Sequence, residues 1–424
     1  MEGAGGPALT RSGSSRDAVE AVWRIESARI VSTLARYTGD FALAEDLAQE
    51  AFAAALVAWP RDGVPSSPAA WLLTVGRRRA VDTYRRRVAL GERHATLARD
   101  LSEGAGDDLW DPDRIDDDVL ALMFVACHPV LSREAQVTMT LRVVGGLTSD
   151  EIARALLVPT ATVQARITRA KKTLGAAQVP FDVPPPDERR ERLASVLNVL
   201  YLVFTEGSSA SSGSDWIRQD LAHEAVRQAR VLAQLVPDEP EVHGLLALLE
   251  LTAARFPARV RDDGEPVLLL EQDRRRWDRE AIRRGRAALA TAGRVGRGLG
   301  AYGVQAAIAE CHAVARSVEE TDWDRIVVLY EVLGRLAPSP VVELNRAVAV
   351  AMSTGPASAL RVVDDLVAGG RLAGYAPLPA VRGELLSRLG RNDEARAELE
   401  LAARLTGNER ERSALLAKAS ALPR

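Results

Sequence analysis

The stretch from Leu147 to Leu174, LTSDEIARALLVPTATVQARITRAKKTL, admits few folds. Thr148 and Glu151 stand at capping-box spacing, which predicts a helix starting at about Ser149. Ile152, Ala153 and Leu156 supply its apolar face. Leu157, Val158 and Pro159 break the pattern, and Thr160 is suited to cap a second helix. There Val163, Ile167, Ala170 and Leu174 recur at helical spacing and make one stripe for burial. Thr162, Gln164, Arg166, Arg169, Lys171 and Lys172 fall off that stripe and carry no negative charge. Two short helices, a tight turn and a cationic second helix fit a helix-turn-helix, which lays donors against phosphates and base edges in the major groove. An ordinary helical hairpin with a solvated basic face would carry the same stripe, so the rest of the chain has to decide.

At 424 residues the chain exceeds one small core, and two to four domains are expected. Aromatic residues make up 4%, against an abundance of Ala, Leu, Arg and Glu, which favours an all-α fold. A net charge of −3 excludes a generic polycation, so affinity for nucleic acid has to come from local basic patches. Cys127 and Cys311 match no metal spacing and read as buried thiols in a reducing cytosol. No metal site and no cofactor are expected. Residues 1–16 lack the apolar core of a signal peptide and read as a disordered leader. No run reaches membrane-spanning length, so a soluble cytoplasmic protein is expected.

Charge and helix breakers divide the remainder. Residues 17–88 form a first block, in which Ala44, Leu47, Ala48, Ala51, Phe52, Ala55 and Trp59 make one helical face. Glu45, Asp46, Gln49 and Glu50 cluster on the other. The segment Pro60 to Ser67 is too rich in Pro and Gly to be helical, and Pro68 opens the next helix. That helix crowds Arg77, Arg78, Arg79, Arg85, Arg86 and Arg87 into its second half, with Asp82 as its acid. Six arginines exceed what a helix C-terminus needs, and a phosphate-facing surface explains them better. Residues 89–118 are acidic and read as a flexible linker. Residues 119–177 hold the helix-turn-helix, with Ser132 capping a helix that ends at Gly145–Gly146. A Pro-rich joint, 178–186, precedes a long last block, 187–424.

Three strings in this order, AEDLAQEAFAAAL, AWLLTVGRRRAVDTYRR and SDEIARALLVPTATVQARITRAKKTL, resemble the extracytoplasmic-function sigma factors of bacterial RNA polymerase. The resemblance implies that the first block is sigma region 2, docking on the clamp helices of core polymerase through Asp46, Gln49 and Glu50. It implies −10 promoter contacts from Arg61, Arg77, Arg78, Arg79, Asp82, Arg85 and Arg86, with Trp71 as a packing aromatic. It implies that the second block is region 4, contacting the polymerase flap and reading the −35 element through Thr160, Thr162, Gln164, Arg166, Arg169, Lys171 and Lys172. The acidic linker would run between the two DNA-bound regions. At the helix-turn-helix turn, where many members have Gly, this chain has Leu157.

The last block shows three similar junctions, at 231–251, 332–352 and 399–419, each a helix, a short turn and an Ala/Leu-rich helix. Gly355 with Ala359 and Gly390 with Ala395 recur about one tetratricopeptide period apart, which predicts stacked helix pairs. The segments 201–213 and 268–280 resemble the tetratricopeptide-like C-terminal extension of a sigma-factor subfamily. Asp273, Arg274, Arg276, Trp277 and Asp278 are candidates there for a regulatory contact, within the chain or with a protein partner. An enzyme built on Glu206, Asp273, Trp277, Asp278 and His312 would lack a nucleophile–base pair, so none is expected. Two other functions compete: a helix-turn-helix regulator that never docks on polymerase, and a tetratricopeptide interaction protein. Paired basic and acidic surfaces in the first block argue for polymerase.

Overall fold

The computed structural model describes residues 9–89, 112–156, 158–208, 219–259, 261, 267, 269–296, 298–370 and 372–423. Regular structure among them is helical throughout, and the chain divides into two compact units, Met1–Leu200 and Tyr201–Arg424.

The first unit opens with α1 (Leu9–Thr38), α2 (Phe41–Asp62) and α3 (Pro68–Ala89). Asp40 caps α2 by accepting from the Leu43 amide at 3.0 Å. Ala44, Leu47, Ala48, Ala51, Ala55 and Trp59 are buried as the periodicity requires. Trp71 meets Trp59 edge-on at 5.5 Å, so it packs. Helix α2 continues through Arg61 and Asp62 with Pro60 inside its last turn, where a helical conformation was not expected. It ends at Gly63, whose amide bonds to the Trp59 carbonyl at 3.0 Å.

Helix α4 (Pro112–Ala126) begins inside the stretch expected to be a flexible linker. The expectation fails for 112–118, because Asp118 is 3% exposed and pairs with Arg36 of α1. Residues 90–111 of the expected linker and 1–8 of the expected disordered leader lie outside the described residues, and the leader expectation fails for 9–16, which begin α1. Val119 to Cys127 are buried without a break, so the second half of α4 has no solvent face and is central to the unit. Burial pushes the Cys127 thiol up to about 12, which leaves it inert near neutral pH. Ser132 caps α5 (Arg133–Met139) by accepting from the Ala135 amide at 3.3 Å. A π-helical turn, Thr140–Val144, then leads to Gly145 and Gly146. The helix-turn-helix follows as α6 (Ser149–Leu156) and α7 (Thr160–Ala176), with the turn residue Leu157 outside the described residues. Helix α8 (Pro186–Ser208) starts at the last residue of the expected joint, and the unit boundary falls within it.

The second unit continues with α9 (Gln219–Leu235), α10 (Pro240–Ala253), α11 (Arg279–Val295) and α12 (Ala301–Val314). It ends with α13 (Trp323–Leu336), α14 (Pro340–Ser353), α15 (Pro356–Ala368), α16 (Pro377–Arg388), α17 (Asn392–Leu405) and α18 (Glu409–Ala421). All three junctions marked in the sequence are helix–turn–helix, and consecutive helices pack on one another. Ala359 and Ala395, the small residues of the recurring Gly/Ala pattern, are fully buried. Helices α10 and α12 cross closely enough that a Cβ on Gly244 would lie 2.7 Å from the Gly303 nitrogen. Glu241 in the first turn of α10 accepts from the Tyr302 and Gly303 amides at 3.0 and 3.2 Å, so one helix caps another.

The expected regulatory contact is largely interior. Trp277 is 2% exposed and belongs to the core with Ala254, Ala281 and Leu289, so it cannot be a surface contact. Arg274 is buried and donates to the carbonyls of His312 and Ala315 and to the Thr321 hydroxyl, each at 3.0 Å. Asp273 caps the short 3-10 turn Arg274–Arg276, and Asp278 caps α11 through the Glu280 and Ala281 amides. These residues build the fold, although Asp273, Arg276 and Asp278 keep exposed side chains. In the expected segment 201–213, Tyr201 to Ser208 are helical and the remainder lies outside the described residues.

His312 gives this unit a pH signature. Burial, then the nearby Arg255 and Arg274 guanidiniums, push it down to about 3 from an ordinary 6.5. The unfolded chain therefore binds a proton below pH 6.5 that the folded unit refuses until about pH 3. Stability is full above pH 6.5 and falls as the pH drops through that window. His312→Gln should flatten the dependence of the urea midpoint on pH between 6.5 and 4, and an unchanged slope would contradict this.

Candidate polymerase and nucleic-acid interface

The acidic face of α2 is present, but its members differ. Asp46 and Glu50 are exposed and Gln49 is half-buried. Glu50 pairs with Arg79 of α3 at 2.7 Å, tying the acidic helix to the arginine-rich one. Glu45, expected on the same solvated face, is 3% exposed. The reason is a second partner: Arg142 from the π-helical turn donates to its carboxylate at 3.0 Å, and the Lys171 ammonium binds its other oxygen. Lys171 also reaches Asp46 at 2.8 Å.

On α3 the candidate −10 residues divide by surroundings. Arg78, Asp82, Arg85 and Arg86 face solvent, as does Arg61 at the end of α2. Arg77 stacks over Tyr37 at 5.2 Å from the ring centre, and Arg79 is engaged with Glu50. Arg86 donates to the Asp82 carbonyl at 3.3 Å, leaving the Asp82 carboxylate outward. The free cations thus lie on one helix and on the end of α2 preceding it.

The helix-turn-helix has the expected capping box. The Glu151 amide donates to the Thr148 hydroxyl at 3.2 Å, and the Thr148 amide donates to the Glu151 carboxylate at 2.8 Å. Val163, Ile167, Ala170 and Leu174 are all buried, as their spacing requires. Thr160 is not the cap of α7: Pro159 occupies that position, and the Thr160 hydroxyl donates to Asp150 at 2.8 Å, fastening α7 to α6. Gln164, Arg169 and Lys172 are exposed, while Thr162 and Arg166 are half-buried on the same helix. Lys171 is 15% exposed and turned towards α2, so it does not stand on the outward arc with the others. Burial alone would lower its pKa, but Glu45 and Asp46 outweigh this and hold it above its ordinary value.

Further contacts join the two halves of this unit. The Trp23 indole of α1 donates to the Gly146 carbonyl at 3.1 Å and lies 4.8 Å from the Phe52 ring. Gly146 has φ of +69°, and a Cβ there would lie 2.4 Å from the Ser27 hydroxyl, so both its conformation and its neighbour require glycine. Sequence reading missed Glu45, Arg142, Trp23 and Asp118. Two signals were present: residues 119–126 of α4 are apolar on every side, and the buried arc of α2, which includes Phe41, Leu43, Ala44 and Glu45, is wider than one partner can cover.

Among the described residues no group of His, Cys, Asp and Glu could hold a metal ion, and no helix is long and apolar enough to cross a membrane. Residues 24–89 match sigma-70 region 2 and residues 121–174 match sigma-70 region 4. Residues 192–293 match a family of unknown function, DUF6596. An uncharacterized protein of Rhizobium meliloti is 45% identical over 381 residues, 89% of each chain. A probable ECF RNA polymerase sigma factor, SigI of Mycobacterium tuberculosis, is 28% identical over 178 residues, 42% of this chain and 61% of that one. No solved structure matches. With regions 2 and 4 in order and a helical block beyond them, the chain belongs to the extracytoplasmic-function sigma factors and carries a C-terminal extension.

Proposed function

We propose that the protein binds bacterial core RNA polymerase in the cytoplasm, directs it to promoters by contacts at the −10 and −35 elements, and is modulated through its C-terminal extension. One observation carries most weight: an acidic patch on α2 and an arginine-rich α3 share one bundle, while α7 offers Gln164, Arg169 and Lys172 outward. Asp46, Gln49 and Glu50 supply the charge complement for a basic clamp surface. Arg61, Arg78, Arg85 and Arg86 hold the −10 strand by charge, with Asp82 among them. On α7, Gln164, Arg166 and Arg169 reach base edges, while Thr162 and Lys172 bond phosphates. The C-terminal block, read as tetratricopeptide-like helix pairs, offers Asp273, Arg276 and Asp278 as surface contacts. A polymerase-independent helix-turn-helix regulator would have no use for the α2 patch.

The decisive experiment is transcription in vitro from fragmented genomic DNA by core polymerase, with and without the full chain, reading RNA 5′ ends. Initiation at a discrete set of sites, appearing only with the chain and sharing two upstream sequence elements, is the expected result. Identical 5′ ends in both reactions would overturn the proposal.

A further inference from the structure

The second unit draws two arginines below its surface without an acid to match them. Arg255, just after α10, and Arg259 close behind it are half-buried. Among the described residues neither side chain has a hydrogen-bond or ion-pair partner. Burial pushes Arg255 down to about 10, and the nearby charges of Arg259 and Arg274 add to the fall. Burial likewise pushes Arg259 down to about 10. Arg274 differs, being spent on the carbonyls of His312 and Ala315 and on Thr321, with Glu319 and Glu320 acting on its charge. Elsewhere in this unit Arg230, Arg284 and Arg382 sit on carboxylates. A guanidinium withdrawn from water and left unpaired opposes folding, and two side by side repel, so this pair is a liability unless an anion joins it.

The frame around the pair is fixed and rich in donors. The Arg259 carbonyl accepts from the Val267 amide, and the Ala254 carbonyl from the Asp278 amide, each at 2.8 Å. Arg274 lies over the Trp277 ring at 5.3 Å, and both its Nε and the Trp277 indole nitrogen are buried without a partner. Tyr330 of α13 lies near both Arg255 and Tyr201, and the rings of Tyr201 and Tyr302 meet at 5.6 Å. None of these three phenol groups has a hydrogen-bond partner among the described residues. Burial raises Tyr330 and Tyr302 to about 12, so both keep their protons near neutral pH and offer O–H donors.

We propose that Arg255 and Arg259, with the Tyr330 hydroxyl beside them, form a site in the C-terminal extension for the dianionic phosphate of a small molecule, whose body lies against the Tyr201–Tyr302 wall. Two guanidiniums match two negative charges, whereas a single carboxylate would leave one cation unbalanced. Cations that receive the backbone of a duplex stand out from the surface, and these do not. The site names a ligand for the modulation assigned to the extension, and it rests on that reading only for its effect on transcription.

The test is calorimetry and thermal melting of the full-length chain with inorganic phosphate and with phenyl phosphate, against chloride at equal ionic strength. Both phosphates should bind and raise the melting temperature, because a ligand held only by the folded state stabilises it. Phenyl phosphate should bind more tightly; equal affinities would overturn the aromatic wall and leave inorganic phosphate as the ligand. Arg255→Met should weaken phosphate roughly tenfold or more. Without phosphate it should melt no lower than the native chain, since it removes an unpaired charge; an arginine that merely holds the fold would show the opposite sign. Arg259→Met and Tyr330→Phe test the same pocket should Arg255→Met fail to fold, and each should weaken phosphate binding. Native phosphate affinity in the folded variants would overturn the site, and so would tighter binding of an acidic peptide. No binding by the native chain would also overturn it, and would mean that acids of the chain balance the pair, the nearest in sequence being Asp262, Asp263 and Glu265, outside the described residues. Failure of the modulation reading looks different: phenyl phosphate binds, yet transcription by the holoenzyme is the same with and without it.

Discussion

Asp46→Arg combined with Glu50→Arg should abolish holoenzyme formation while helicity stays native. Both side chains are exposed, so neither substitution disturbs the bundle core. Like charges brought together across an interface cost about 2–5 kcal/mol, roughly 30- to 4,000-fold in affinity. Two smaller effects accompany this. Reversal at Glu50 frees Arg79 from its ion pair, and reversal at Asp46 repels Lys171. Polymerase pull-down with purified proteins reads the result, and retention of the double variant at native levels would remove this face from the interface.

Arg169→Ala should lower promoter affinity of the holoenzyme by about 1–3 kcal/mol and relax preference at a single −35 position. Arg169 is exposed on α7, with its Nε donating to the Ala165 carbonyl at 3.2 Å and its remaining donors outward. Arg166→Ala should have the same character at a neighbouring position. Lys172→Ala should weaken all sequences alike and flatten the salt dependence by about one counterion. Lys171→Ala departs from both patterns, because its ammonium is committed to Glu45 and Asp46 in the free chain. Anisotropy titrations against a panel of −35 variants at several salt concentrations separate these cases. Uniform loss across the panel for Arg166 and Arg169 would mean that neither reads a base.

What could be read from the chain beforehand follows the range of the forces involved. The α7 stripe and the Thr148–Glu151 box are local, set by one helical period and three residues of spacing, and both are present. Thr160 has the right chemistry for a cap, yet its hydroxyl is taken by Asp150 in the preceding helix, so a tertiary bond outcompetes a local one. Composition marks Pro112–Asp118 as flexible linker, but the Arg36–Asp118 pair and the apolar run that follows it supply the ordering. Glu45 and Trp277 fail for the same cause from opposite sides. A carboxylate looks solvated until two cations arrive from distant sequence, and a tryptophan among charges looks exposed until its neighbours are seen capping turns. The helical content of the C-terminal block was legible from its Ala/Leu patterning, whereas the inward turn of Arg274 depends on carbonyls 38 and 41 residues away.

The π-helical turn at Thr140–Val144 sets the phase of that first failure. A π turn accommodates one residue more than an α-helical ladder would hold, and each residue advances a helix by about 100°. Leu141, Val143 and Val144 lie inward while Arg142, among them, reaches Glu45. Loss of a single residue from this turn would swing Arg142 away from its carboxylate without altering any charge in the chain. The packing of the two sigma regions is thus set by chain length as much as by ion pairing, and an insertion or deletion here would undo the Arg142–Glu45 pair while every residue of the proposed DNA and polymerase surfaces stayed the same.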